Sequence, residues 1–435
     1  MPKSHLTVCL LALTLAACGE AAKLPFSAGV GSDPQIPKPA KTAFPTVKIA
    51  PAIGWPAGTT PKPAAGLTVK AFATGLDHPR WLHVLPNGDV LVAESNAPPK
   101  PEDGKGIKGT IMKVVMGKAG AGVPSANRIT LLRDADGDGV AETKTTFLSG
   151  LNSPFGMQVI GDALYIANTD AIVKVPYTAG VTTITATPQK VADLPAGPIN
   201  HHWTKNILAS RDGKKLYATV GSNSNVAESG MAVEANRAAV LEIDLVTGAT
   251  RLFASGLRNP NGLAWEPHSG ALWTVVNERD ELGSDLVPDY LTSVKDGGFY
   301  GWPYSYYGQH IDTRVEPQNP DLVARAIVPD YALGTHVAPL GLAFYTGPLI
   351  PQYAGGALIG SHGSWNRNPR SGYDVVFVPF GGGRPAGPPQ TVLDGFVSAD
   401  GKAMGRPVGV EVDKTGAILV ADDVGNVIWR VTPAS

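Results

Sequence analysis

One unit recurs six times along this chain of 435 residues, and it constrains the fold more than any other feature. Gly75–Arg80 is followed by Val84–Ala93, Gly150–Gly156 by Gly161–Ala167, and Asn200–Trp203 by Asp212–Val220. Gly256–Gly262 is followed by Gly270–Val275, Val337–Gly341 by Gly355–Gly360, and Gly405–Gly409 by Thr415–Ala421. Each copy reads as a turn, a strand, a glycine-containing hairpin turn and a second apolar strand. Six such copies predict an all-β chain folded as a six-bladed β-propeller. A β-sandwich would require six matched units to arise by coincidence.

Composition agrees. Glycine (51) and proline (38) are abundant and charged residues make up only 17%, which favours tight turns over surface helix. The net charge is −1 with no long basic run, so nucleic acid is not an expected partner. Residues 1–17 read as a lipoprotein signal peptide: Lys3 precedes a short apolar run, Leu6–Ala17, and Leu15-Ala16-Ala17-Cys18-Gly19 resembles a bacterial lipobox. Cleavage before Cys18 and its acylation would give an exported protein, anchored in the periplasm or outer membrane through its N-terminal lipid only. Residues 18–64 are Pro/Ala-rich and read as a tether, part of which can pack as an arm. Residues 65–435 form the propeller. The other cysteine, Cys9, leaves with the signal, so the mature domain has no disulfide, cysteine-bound metal or haem attachment site.

Equivalent positions in the blades share one face, so residues near each repeat's proline should converge at the channel mouth. These are His78, Arg80, His201, His202, Arg258, Asn259, His336 and Arg406. Imidazoles and guanidiniums gathered there suit a planar anion. His201 or His202 could serve as a general base near neutral pH, and each could equally be structural. His362 and Arg367 could reach the same face. Asp134, Asp136, Asp138 and Glu142 take positions one, three, five and nine of a calcium-type loop, although Thr145 stands where an EF-hand has its glutamate. Asn277–Asp285 crowds four carboxylates that a divalent cation or Arg279 would neutralise, or water would solvate. The aromatic stretch Gly297–Tyr307 suits a sugar or blade-edge packing. Nucleotide-loop and nucleophile-elbow motifs are lacking.

Across Leu67–Val431 the sequence resembles the glucose/sorbosone dehydrogenase family of soluble sugar dehydrogenases dependent on pyrroloquinoline quinone (PQQ), most of all its sorbosone dehydrogenase-like branch. The resemblance rests on His202 with Asp212-Gly213, Gly256–Gly262, Asn277–Glu281, Gly297–Pro303, Gly363–Arg367 and Gly405–Gly409. It implies PQQ and calcium as cofactors, bound on the propeller's top face. It implies oxidation of an aldose, a sorbosone-like aldehyde or a polyol, with hydride passing to the quinone and a proton to a histidine. Carried over, His202 is the base, with His201 one position away. Arg258 and Asn259 contact the quinone, and Arg406 meets a PQQ carboxylate. Asp280, Glu281 and Asp285 fall in the calcium loop. Glucose-oxidising members have an arginine where this chain has Val408, and a lysine in the loop where Arg367 is the substitute here. Electrons would leave to a quinone or a separate redox protein. Two other readings stay open: a non-catalytic propeller binding a sugar or a protein, and a calcium-dependent hydrolase of lactonase type using Asn223, Asn225, Asn259 and Glu228.

Overall fold

The computed structural model describes residues 19–40, 46–99, 116–197 and 199–434. Residues 1–17, read from sequence as a signal peptide, and Cys18 lie outside the described residues. The fold is a six-bladed β-propeller with few helices, such as the short turn Pro320–Ala324.

Blade 1 comprises Pro79–Val84, Val90–Glu94, Arg128–Arg133 and Thr143–Leu148. Blade 2 comprises Met157–Ile160, Ala163–Ala167, Ala171–Pro176 and Gln189–Asp193. Blade 3 holds Ile207–Ala209, Lys215–Val220, Ala239–Asp244 and Thr250–Ser255. Blade 4 holds Asn259–Trp265, Leu272–Asn277, Pro288–Ser293 and Tyr331–Thr335. Blade 5 is built from Pro339–Phe344, Ala357–Ser361, Asp374–Val378 and Gln390–Asp394. Blade 6 joins Pro407–Val412, Ile418–Asp422 and Val427–Pro433 to the early strand Leu67–Thr74, which latches the ring shut.

The first strands of successive blades touch one another around the axis. Second strands such as Val90–Glu94 and Ala357–Ser361 are buried throughout, as strands covered on both faces must be. The outermost Thr143–Leu148 alternates between half-buried and exposed residues before its buried end. The repeat's glycine marks where neighbouring blades approach. A Cβ on Gly156 would stand 2.4 Å from the Ile207 nitrogen, and one on Gly341 2.3 Å from the Val408 carbonyl. Real side chains do not tolerate such distances, so glycine is required by packing at these positions. The repeat's proline starts the first strand in blades 1, 5 and 6, and the pairing register slips immediately after it.

The stretch assigned as a tether packs on the propeller along its described length. Val30–Gly31 extends the edge of blade 4 and Lys62–Pro63 the edge of blade 5. Trp55 donates to the Asp422 carboxylate at 2.7 Å, Lys48 N to the Trp365 carbonyl at 2.7 Å, and Lys23 N to Asp285 at 2.7 Å. Proline and alanine do not prevent this, because the arm pairs only in short runs and otherwise spends isolated donors on the rim.

Candidate functional site

First strands begin on one face, and the loops joining each second strand to the third end on that same face. Most candidate residues therefore meet there, in two groups.

The first group surrounds Gly221. A Cβ at Gly221 would lie 2.4 Å from both Asn259 Oδ1 and His202 Cβ, so the missing side chain lets these two blades' residues close together. His202 Nδ1 lies 2.8 Å from the Ser222 carbonyl and 3.0 Å from its hydroxyl. The carbonyl can only accept, so Nδ1 carries the proton and Nε2 the lone pair. Asn259 Oδ1 is buried without a hydrogen-bond partner. Arg258 is buried and its donors are used: Nη2 to Asp280 at 2.6 Å and to Asn225 Oδ1 at 2.9 Å, and Nη1 to the Glu278 carbonyl at 2.6 Å. Asp280 also accepts from Asn366 at 2.7 Å, and His336 stands 3.8 Å away. Burial would raise the Asp280 carboxyl, but the Arg258 and His336 charges outweigh it and hold it low. Behind this pair burial pushes Glu278 up to about 7 and Asp289 to about 8.

The second group surrounds Asp423, at the top of blade 6. Its Oδ2 accepts from His362 Nε2 at 2.9 Å and from Arg80 Nη1, with His78 Nε2 at 3.4 Å. Burial opposes ionisation, yet the charges of His362, His78 and Arg80 hold this carboxyl well below the usual range. The Arg80 guanidinium lies 5.7 Å from the Trp203 ring and 5.9 Å from Phe155. Arg406 sits 4.9 Å from the Tyr373 ring. The Nε atoms of Arg80 and Arg406 are buried without partners. His78 and His336 hold left-handed backbone, φ 55° and 57°, a strain typical of positions fixed for function.

Several expectations need correction. The side chains of Asp280, Glu281 and Asp285 do not converge on one point. Asp280 faces Arg258, Glu281 is exposed 3.9 Å from Arg314, and Asp285 accepts from the backbone of Lys23 and Leu24. Local cations and amides neutralise the acidic loop. Arg367 does not face the His202 group; it donates to Thr335 at 2.7 Å, to the Ser284 carbonyl at 3.1 Å and to the Pro369 carbonyl at 2.7 Å, with Phe26 of the arm 5.4 Å away. Glu228 closes its own turn by accepting from Asn225 N and Val226 N, and Asn225 serves Arg258, so the hydrolase ligand set does not assemble. Val408 is fully buried with Trp81, Phe155, Trp203 and Leu340, an apolar floor unsuited to an arginine.

Among the described residues, the one acidic group close enough to share a metal is Asp134, Asp136, Asp138 and Glu142, with ligand atoms within 4.8 Å of one another. It joins the third and fourth strands of blade 1 and therefore lies on the opposite face. Its carboxylates bond the loop's own amides, for example Gly139 N to Asp134 at 2.8 Å. Asp423 is the residue that sequence reasoning missed. It stands in an ordinary Asp-Asp-Val-Gly turn, and only the meeting of blades 5, 6 and 1 reveals its partners.

Fold and site together define a six-bladed propeller with a buried polar face over an apolar floor. Residues 166–364 match the glucose/sorbosone dehydrogenase family model. An uncharacterised protein of Borreliella burgdorferi is 30% identical over 303 residues, covering 66% of this chain and 77% of that one. The PQQ-dependent pyranose dehydrogenase of Coprinopsis cinerea is 26% identical over 241 residues, covering 45% of this chain and 32% of that enzyme. The holo PQQ domain of pyranose dehydrogenase from Coprinopsis cinerea superposes with a TM-score of 0.69 at 19% identity, covering 88% of this chain and all (100%) of that one. This chain belongs to the glucose/sorbosone dehydrogenase family.

Proposed function

We propose that this protein is a PQQ-dependent dehydrogenase of sugar-type substrates: an aldose, a sorbosone-like aldehyde or a polyol. The observation that carries this is the meeting of His202 and Asn259 across Gly221, beside a fixed Arg258. The residues fit the cofactor. PQQ bears three carboxylates, and Arg80 and Arg406 each keep a buried Nε donor without a partner. When bound, PQQ supplies the two-electron acceptor.

The chain's own residues supply the rest. His202 Nε2 takes the substrate hydroxyl proton while Ser222 fixes the ring through Nδ1. Asp280 holds Arg258 rigid, so its orientation costs no reorganisation during the reaction. Trp81, Phe155 and Trp203 exclude water from below. Arg406 and Arg80 would hold the cofactor's carboxylates. Calcium would occupy the Asp134–Glu142 loop as a structural ion. Electrons would pass to a quinone or a separate redox protein, and acylated Cys18 would keep the enzyme on a bacterial periplasmic or outer membrane. The Asp134 loop and the polar face also fit a sugar-binding module without turnover, which the test below separates.

The test is reconstitution of the full mature chain, arm included, with PQQ and calcium, following dye reduction with aldoses, sorbosone and polyols. Turnover that requires PQQ and falls at least 100-fold in His202→Asn supports the reading. Sugar binding without turnover favours the module.

A further inference from the structure

Asp423 lies at the centre of a charge cluster whose members come from separate blades. His78 and Arg80 enter from blade 1, His362 follows the second strand of blade 5, and Arg406 opens blade 6 beside it. The ionised carboxylate can only accept from His362 Nε2, so that nitrogen carries the proton and Nδ1 carries the lone pair. Nδ1 makes no hydrogen bond among the described residues, and the ring remains 23% exposed toward the face. The other members are locked more deeply: Arg80 is 9% exposed and His78 7%.

Two forces act on His362 in opposite directions. Asp423 favours its protonated form, whereas burial and the guanidiniums of Arg406 and Arg80 oppose it. The groups facing it are therefore Asp423, Arg80, Arg406 and His78. Both arginines retain a buried donor with no partner, which marks where an anion would be received.

We propose that the Asp423 cluster couples the binding of an anion at Arg80 and Arg406 to proton acceptance at His362 on the same face. Burial first, and the charges of Arg406 and Arg80 after it, keep His362 neutral down to a pH of about 4. A carboxylate laid against the arginines cancels their repulsion and leaves Asp423 free to stabilise the imidazolium. The proton comes from solvent, O–H breaking as N–H forms at Nδ1, and no electrons change hands at this residue. The anion arm of the idea rests on the quinone reading above; the electrostatic arm does not.

The measurement is a histidine NMR titration of the full mature chain, with His362 assigned through His362→Asn. Without ligand, Arg406→Gln should raise the His362 midpoint by about one pH unit, and Arg406→Lys should leave it near the wild-type value. Arg80→Gln gives a second reading of the same charge removal should the first variant fail to fold. Adding PQQ, with its binding followed independently by absorbance, should raise the wild-type midpoint by a similar amount. A midpoint that stays still in both arginine-to-glutamine variants overturns the proposal, as does bound PQQ that leaves it unmoved. If the variants shift it but PQQ does not bind, the electrostatic link between the arginines and His362 stands, while the quinone reading and the anion arm that rests on it fail.

Discussion

Arg258 and Asp280 meet at 2.6 Å, with the guanidinium only 4% and the carboxylate 20% exposed. Sequence alone placed them in different roles, one toward a ligand and the other toward a metal. In the fold they neutralise each other, and this bond sets the geometry of the loop after Asn277.

Removing either partner should be costly, because it leaves a buried charge uncompensated. We expect Asp280→Asn and Arg258→Gln each to lower unfolding stability by about 3 kcal/mol in urea titration. The double variant should lose less than the sum of the two. Strict additivity would show that the pair is not coupled.

Gly221 should tolerate no side chain. Gly221→Ala drives a Cβ into Asn259 and His202, so the two must separate or the loop must shift. We expect a destabilisation of about 1–3 kcal/mol, together with at least a tenfold fall in turnover for an enzyme dependent on His202. Retention of full turnover would show that the contact does not matter to the site.

Asp289 gives a pH dependence with a defined sign. Its carboxyl is raised from 3.8 to about 8 by burial, so the folded state holds a proton that the unfolded chain releases. That stabilisation is complete below the unfolded value and is lost as pH rises towards 8. Thermal unfolding of the wild type should show this fall, and Asp289→Asn should reduce the difference between pH 5 and pH 8. An unchanged difference would place the titration elsewhere.

Deleting residues 19–64 should do more than shorten a leash. The arm provides edge strands for blades 4 and 5 and hydrogen bonds from Trp55, Lys48 and Lys23. At about 1 kcal/mol per net hydrogen bond, a chain starting at Ala65 should lose about 3 kcal/mol or more. Equal melting temperatures for the two chains would assign the arm no structural role.

The propeller was legible because its constraint is local and repeated: each turn, strand and hairpin announces itself within about 20 residues. The reason for the repeat's glycine was not legible, since Gly341 meets Val408 across a blade boundary. His202 and Asn259 could be named from their motifs, but Gly221 between them could not. At the acidic loop, sequence shows that the carboxylates need a counter-charge without showing that Arg258 supplies it for Asp280. Arg367 was misread for a related reason: its cation is visible in sequence, while the carbonyls that consume its donors are not.

The latch of blade 6 has a consequence for how the molecule is made. Leu67–Thr74 is among the first parts of the domain to be synthesised, and its partner Val427–Pro433 among the last. The circle cannot be completed until both segments exist, and its closure carries the entropy of bringing distant segments together. Until then both rims of the gap expose unpaired backbone, so folding and protection from self-association must be settled at the same late moment.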